Sequence, residues 1–252
     1  MARISMGEIT RALVVEGPDG SLDEALESAG LEVRRVPGAP SEAELISLLH
    51  ETGAQVIFKR SRTLVTRQVI ESCPALLAIQ LCCIGDDSVD KQACADNGIM
   101  VFNDPVSNAR SVVELVISHV IALARRLYET DVSCRAGVWE KSNEGRYEVK
   151  GKVLGVVGLG NIGRQVARAA ESMGMRIRFF DSRYAAQEVG IEFGWEESST
   201  LPDLFRKSDF VTAHLSARDA SGKSNEGILS REILAQLGAN RGPASPKIFL
   251  NL

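Results

Sequence analysis

The sequence predicts an α/β fold built from two doubly wound parallel-sheet domains, and three observations carry that expectation. Short apolar segments alternate with capped, amphipathic helical segments through about the first hundred residues. That order demands crossover connections and hence a parallel sheet. The alternation breaks at NDPVSNAR and a long apolar helical stretch, then restarts at KVLGVVG. The restart carries G-x-G-x-x-G between a strand and a helix. The domain boundary is placed near residue 108, giving one domain over 1–108 and a second over 109–252.

Each element follows from its own local pattern. ALVV is a short buried strand, and SLDEALESAG a capped helix closed by glycine. LEVRRV has strand character, and SEAELISLLHETG is a Ser-capped amphipathic helix ending in glycine. QVIFKRS, LLAIQLC and IMVF are strands, while TRQVIESC and SVDKQACADNG are the helices between them. Pro105 then punctuates the chain, with Ser107 or Asn108 expected to cap the next helix. SVVELVISHVIALARRLYE is apolar almost all round its first three turns, the pattern of a buried helix that could lie between two domains.

Composition excludes several classes. Hydrophobic residues make up 44% and charged residues 25%, ordinary for a soluble globular protein. A formal net charge of -4 leaves no basic footprint, so neither nucleic acid nor a membrane is expected as a partner. No apolar run approaches the roughly 20 residues that span a bilayer, and the opening MARISMGEITRALVV lacks the order of a signal peptide. The five cysteines, Cys73, Cys82, Cys83, Cys94 and Cys134, follow no zinc spacing. They read as small buried hydrophobes in a reducing cytoplasm, with no structural disulfide and no metal site.

The strongest chemistry lies in KVLGVVGLGNIGRQVARAAESMGMRIRFFDSR. Gly158 suits a tight turn, Gly160 lets the backbone approach a pyrophosphate, and Gly163 allows close packing of helix on strand. The free amides and positive dipole end of that helix would face the phosphates. The next strand ends in Asp181, eighteen residues beyond Gly163. A carboxylate there suits the hydroxyls of an adenosine ribose and repels a 2′-phosphate, which favours NAD over NADP. Arg183 is a complication, since a nearby arginine can accept a 2′-phosphate, but it reads first as a solvated surface charge.

KRSRTLVT, CIGDDSVD, VFNDPVSNARSVVELVISHV, AGVWEK and KGKVLGVVGLGNIG together resemble the D-2-hydroxyacid dehydrogenases, most of all the bacterial D-3-phosphoglycerate branch. The resemblance implies a flavodoxin-like substrate domain followed by a Rossmann NAD-binding domain. It implies oxidation of a small anionic 2-hydroxy acid, 3-phosphoglycerate, to its 2-keto acid with NAD as cofactor, in a cytoplasmic homo-oligomer. Arg60, Ser61 and Arg62 match positions that contact phosphate and carboxylate, and they end a strand where ligands of parallel sheets collect. Ile84 and Gly85 match a loop whose amides hold the substrate carboxylate, and Asn108 a polar hinge residue. Asn161 and Ile162 match positions against the pyrophosphate, and His214 and Ser216 positions lining the cofactor cleft. Proline is usual at the position of Ser216. Asp86, Asp87 and Asp104 depart from the pattern by placing carboxylates near a site for anions, and GANRGPASPK is longer than the usual turn.

No catalytic residue is assigned. Proton transfer from a secondary alcohol suits a histidine near neutral pH, and the chain has three. His50 reads as a surface residue, His119 as a satisfied core residue, and His214 as part of the cofactor cleft. The family's arginine, glutamate and histidine would come after KIFLNL, so the sequence reads as a Rossmann domain incomplete at its C-terminus. Two other readings stand: a non-catalytic NAD-binding protein, and a dehydrogenase for a different 2-hydroxy acid.

Overall fold

The computed structural model describes residues 9–18, 20–104, 106–219, 221–242 and 245–251. Pro105, expected as punctuation, and Pro243 and Ala244 of the long loop before the last strand lie outside them. The chain divides into two compact units, Met1–Asn108 and Ala109–Leu252.

In the first unit, β1 (Arg11–Val15), β2 (Glu32–Val36), β3 (Val56–Lys59), β4 (Ala78–Leu81) and β5 (Met100–Asn103) form one parallel sheet in the order β2-β1-β3-β4-β5. This is the flavodoxin-like order, with its topological switch between β1 and β3. The connecting helices are α1 (Ser21–Ser28), α2 (Glu42–Thr52), α3 (Arg67–Ser72) and α4 (Lys91–Asp96). Helix α1 begins after Gly20 without the side-chain cap its sequence suggests, whereas side chains mark the starts of the other three. Ser41 and Glu44 form a reciprocal capping box on α2, and Gly53 ends it in a left-handed conformation. Thr66 and Asp90 cap α3 and α4.

Period-two alternation sends Leu13, Val15, Ile57, Ile79 and Leu81 to one sheet face, where they pack with Leu45, Leu49, Val69, Ile70 and the buried Cys73 and Cys94. Ala12, Val14, Val56 and Ala78 face the other side with Leu26. Cys82 and Cys83 fall just beyond β4 and are half-buried. Cys134 is exposed, against the expectation of a buried hydrophobe.

The second unit opens with α5 (Ala109–Arg125) and α6 (Leu127–Arg135). It continues through β6 (Val153–Val157), α7 (Asn161–Ser172), β7 (Arg176–Phe180), α8 (Tyr184–Glu192) and β8 (Glu196–Glu197). The remaining elements are α9 (Leu201–Lys207), β9 (Phe210–Ala213), α10 (Arg231–Leu234) and β10 (Ile248–Asn251). The sheet is parallel in the order β10-β9-β6-β7-β8, the 3-2-1-4-5 arrangement of a Rossmann sheet. Its central strands are buried along their whole length on both faces, which explains their unbroken apolar runs.

Helix α5 departs from the expectation of burial all round. Val113, Val116, Val120 and Ala124 are buried in the core of its own unit, whereas Leu115 is exposed. The helix packs on α7 and β10 by one face. Just before the helix, Asp104 accepts the amides of Val106 at 3.1 Å and Ser107 at 3.0 Å. Among the described residues, no helix is long and apolar enough to cross a membrane.

Candidate functional site

Strand register brings the candidate residues of each unit to one sheet edge. In the second unit Val157 pairs with both Phe180 and Ala213, so the carboxyl ends of β6, β7 and β9 are level. Gly158, Asp181 and His214 are the next residues on those three strands. In the first unit Lys59 pairs with Leu81 and Leu81 with Asn103, which sets Arg60, Cys82 and Asp104 along the corresponding edge.

The three glycines have separable reasons. Gly158 has φ +88°, and a Cβ there would lie 2.5 Å from the carbonyl oxygen of His214. A Cβ on Gly163 would lie 2.1 Å from the Gly158 carbonyl oxygen, so this glycine lets α7 sit against β6. Gly160 is different. Its ordinary φ of -74° and a nearest neighbour, Arg183 Nη2, at 3.6 Å give the protein itself no need of a glycine. The space above it is what a pyrophosphate would fill, and a dinucleotide fits the residues present. Asn161 and Ile162 begin α7, where unpaired amides and the helix dipole favour an anion. The Asn161 side chain accepts from Gln165 at 3.2 Å, and Ile162 turns partly into the core.

Asp181 is buried, and both carboxylate oxygens are engaged. Oδ2 accepts the amide of Leu159 at 2.7 Å and Arg183 Nη2 at 2.8 Å, while Oδ1 accepts Arg183 Nε at 3.0 Å and its amide at 2.8 Å. Burial alone would raise this carboxyl; the bonds from Arg183 and Leu159 outweigh it and hold the group below the usual range. Arg183 is therefore not a free surface charge, as its sequence position suggests, but a bidentate partner of the acid.

His214 is largely buried, its Nε2 3.0 Å from the Thr212 hydroxyl. Burial pushes its pKa down to about 4, so the ring is neutral at physiological pH. Ser216 stands in the exposed segment after β9, its hydroxyl donating to the carbonyl of Arg218. The other histidines are satisfied locally: His50 Nε2 lies 2.8 Å from the Ser72 carbonyl oxygen and His119 Nδ1 2.8 Å from that of Leu115.

In the first unit Arg60, Ser61 and Arg62 are exposed in the loop after β3. Two buried residues that sequence reasoning passes over shape this loop. Glu16, in the left-handed region at φ 66° directly after β1, accepts the amides of Arg62 at 2.9 Å and Thr63 at 2.7 Å. Lys59, fully buried, donates to the Arg60 carbonyl at 2.7 Å and the Ser88 hydroxyl at 2.6 Å. Burial lowers the Lys59 pKa, opposed by the nearby Glu16 charge. The exposed arginines thus sit at the β1–β3 switch on a buried polar scaffold.

Ile84 and Gly85 come after β4 at the same edge, with the Ile84 carbonyl accepting from Asn103 Nδ2 at 2.9 Å. Two of the three departing acids are occupied: Asp86 pairs with Lys91 at 2.9 Å, and Asp104 accepts the two amides of the turn before α5. Asn108 is exposed at the last position of the first unit. Among the described residues, no group of His, Cys, Asp and Glu is placed to hold a metal ion.

Sheet order, level strand ends and the glycine geometry define the second unit as a Rossmann-type dinucleotide-binding domain. Residues 117–241 match the D-isomer specific 2-hydroxyacid dehydrogenase, NAD binding domain. The chain is 38% identical over 218 residues to D-3-phosphoglycerate dehydrogenase of Escherichia coli, which covers 85% of this chain and 52% of that protein. It is 34% identical over 241 residues to a putative D-3-phosphoglycerate dehydrogenase of Schizosaccharomyces pombe, covering 93% and 50%. The apo-structure of D-lactate dehydrogenase from Escherichia coli superposes with a TM-score of 0.74 at 24% identity, over 96% of this chain and 73% of that one. The chain belongs to the D-isomer specific 2-hydroxyacid dehydrogenase family, and its second unit is that family's NAD-binding domain. It spans about half the length of the curated relatives it matches.

Proposed function

We propose that this chain is part of a cytoplasmic, homo-oligomeric NAD-dependent dehydrogenase that oxidises 3-phosphoglycerate to 3-phosphohydroxypyruvate, the entry to serine biosynthesis. The observation that carries the cofactor half of this reading is Gly160, a glycine at the N-terminus of α7 whose open side meets only the tip of the Arg183 side chain, at 3.6 Å. Gly158 and Gly163 shape the turn, Asn161 and Ile162 present the amides, and Asp181 closes the adenosine side. His214 and Ser216 border the loop after β9. NAD, when bound, supplies the acceptor for the substrate's hydride.

The substrate half rests on Arg60, Ser61 and Arg62. Two guanidinium groups at the carboxyl edge of a parallel sheet suit a substrate with both phosphate and carboxylate. The amides of Ile84 and Gly85 would take the carboxylate, and Asn108 contributes a polar side chain at the unit boundary. The engagement of Asp86 with Lys91 and of Asp104 with backbone amides removes two acids that would otherwise disfavour such a multiply charged anion. The test is NADH formation by the native protein with 3-phosphoglycerate against D-lactate and D-glycerate. Turnover restricted to the phosphorylated acid supports the proposal, and turnover of only an unphosphorylated acid rejects it. NADH binding without turnover of any 2-hydroxy acid would leave a binding protein in place of the enzyme.

A further inference from the structure

We infer that Arg183 makes the adenosine end of the nucleotide site tolerant of a 2′-phosphate, so that the chain binds NADP(H) alongside NAD(H); the inference rests on the dinucleotide reading above. An acidic residue at the end of the second Rossmann strand discriminates against NADP by offering an uncompensated charge and free acceptor oxygens. Asp181 offers neither. Its side chain is 5% exposed, and its oxygens already accept four bonds, three of them from Arg183.

The arginine is the half of the pair that faces outward. Its side chain is 49% exposed, and its Nη2 lies 3.6 Å from the point a Cβ would occupy on Gly160. The guanidinium therefore stands beside the phosphate cradle. Guanidinium has five N–H donors, and Asp181 takes Nε and one Nη2 donor, so Nη1 has no partner among the described residues. A second arginine reinforces the field: Arg164 folds back so that its Nε donates to the Gly160 carbonyl at 3.3 Å. Ser182, between the acid and Arg183, is exposed and adds a hydroxyl. A 2′-phosphate arriving here meets a neutralised carboxylate and a forked cation, a pairing that favours phosphate.

The experiment is titration of the full chain with NADH and with NADPH, followed by nicotinamide fluorescence, in wild type, Arg183→Ala and Arg183→Gln. Adenosine 2′,5′-bisphosphate against AMP in competition isolates the 2′-position. Wild type is expected to hold NADPH within about tenfold of NADH, and both variants to widen that ratio by about tenfold or more, mainly through weaker NADPH binding. A wild-type preference for NADH clearly beyond tenfold, or a ratio that neither variant moves, overturns the role of Arg183 and leaves NAD binding standing. Binding of neither nucleotide instead overturns the dinucleotide reading itself.

Discussion

Glu16 Oε2 accepts the backbone amide of Arg62 at 2.9 Å, so a carboxylate buried at the end of β1 fixes the loop that carries the exposed arginines. The neighbouring amide of Thr63 is held by the other oxygen, and buried Lys59 contributes opposite charge nearby. Replacing Glu16 by alanine leaves two buried amides without their acceptor and removes the charge that opposes the nearby buried ammonium of Lys59. That is expected to cost about 3 kcal/mol of stability, read from chemical denaturation. Combining it with Lys59→Met should cost less than the sum of the two single changes, because the second removes the stranded charge. Strict additivity would show that the two groups do not act as a unit.

Arg60 and Arg62 carry the substrate proposal, and their exposure makes them separable from the fold. Alanine at both positions is expected to leave the thermal midpoint nearly unchanged. Binding of 3-phosphoglycerate, measured calorimetrically, should weaken by more than about tenfold, since each charge-assisted bond to phosphate is worth about 1.5 kcal/mol or more. D-lactate, which lacks the phosphate, provides the control. Equal loss for both ligands would assign these arginines to the carboxylate alone.

Much of this architecture is legible in the sequence because strand ends announce themselves. RSR directly after QVIFK, and D directly after RIRFF, fall at carboxyl edges for the same reason that the apolar runs are strands. Pairing between distant segments is what escapes. Glu16 comes after ALVV as an acid at the end of a buried strand, a signal that only its partners make readable. Those partners, Arg62 and Thr63, lie across a crossover that sequence spacing does not reveal. Lys59 reads as a basic strand end, yet it is fully buried because Ser88 and the Arg60 carbonyl satisfy it. Arg183 escapes for a more local reason: its side chain curls back two residues onto Asp181, a rotamer choice with no pattern in the sequence. The burial of helix α5 is overestimated because its apolar residues outnumber the positions its one buried face can hold.

The glycines separate folding from binding. Alanine at Gly158 or Gly163 puts a Cβ within 2.5 Å or 2.1 Å of a carbonyl oxygen, so each should destabilise the chain by roughly 2 kcal/mol or more. Alanine at Gly160 meets only a flexible guanidinium at 3.6 Å, so the fold should tolerate it. The expected signature is a wild-type melting curve for Gly160→Ala with NADH affinity reduced by about tenfold or more, because the methyl group occupies the space of the pyrophosphate. If Gly160→Ala binds NADH as wild type does, the phosphate is not at this glycine.

His214 sets an acid limit on the second unit. Its folded pKa, pushed by burial to about 4, lies below the ordinary 6.5. Between those values the unfolded chain takes up a proton that the folded chain refuses, so stability must fall as the pH is lowered through that window. Above the window the ring is neutral in both states and this effect is silent. The full shift corresponds to at most about 3 kcal/mol. Gln at this position keeps a polar group facing Thr212 but cannot charge. The His214→Gln variant should therefore show a flatter decline in stability between about pH 6.5 and 4 than wild type, measured by denaturation at a series of pH values. NMR provides the direct check: the ring signals of His214 should stay put from pH 7 to about pH 5. A His214 titration near 6.5 would mean that the ring is solvated, and that the end of β9 is open where the structure has it closed.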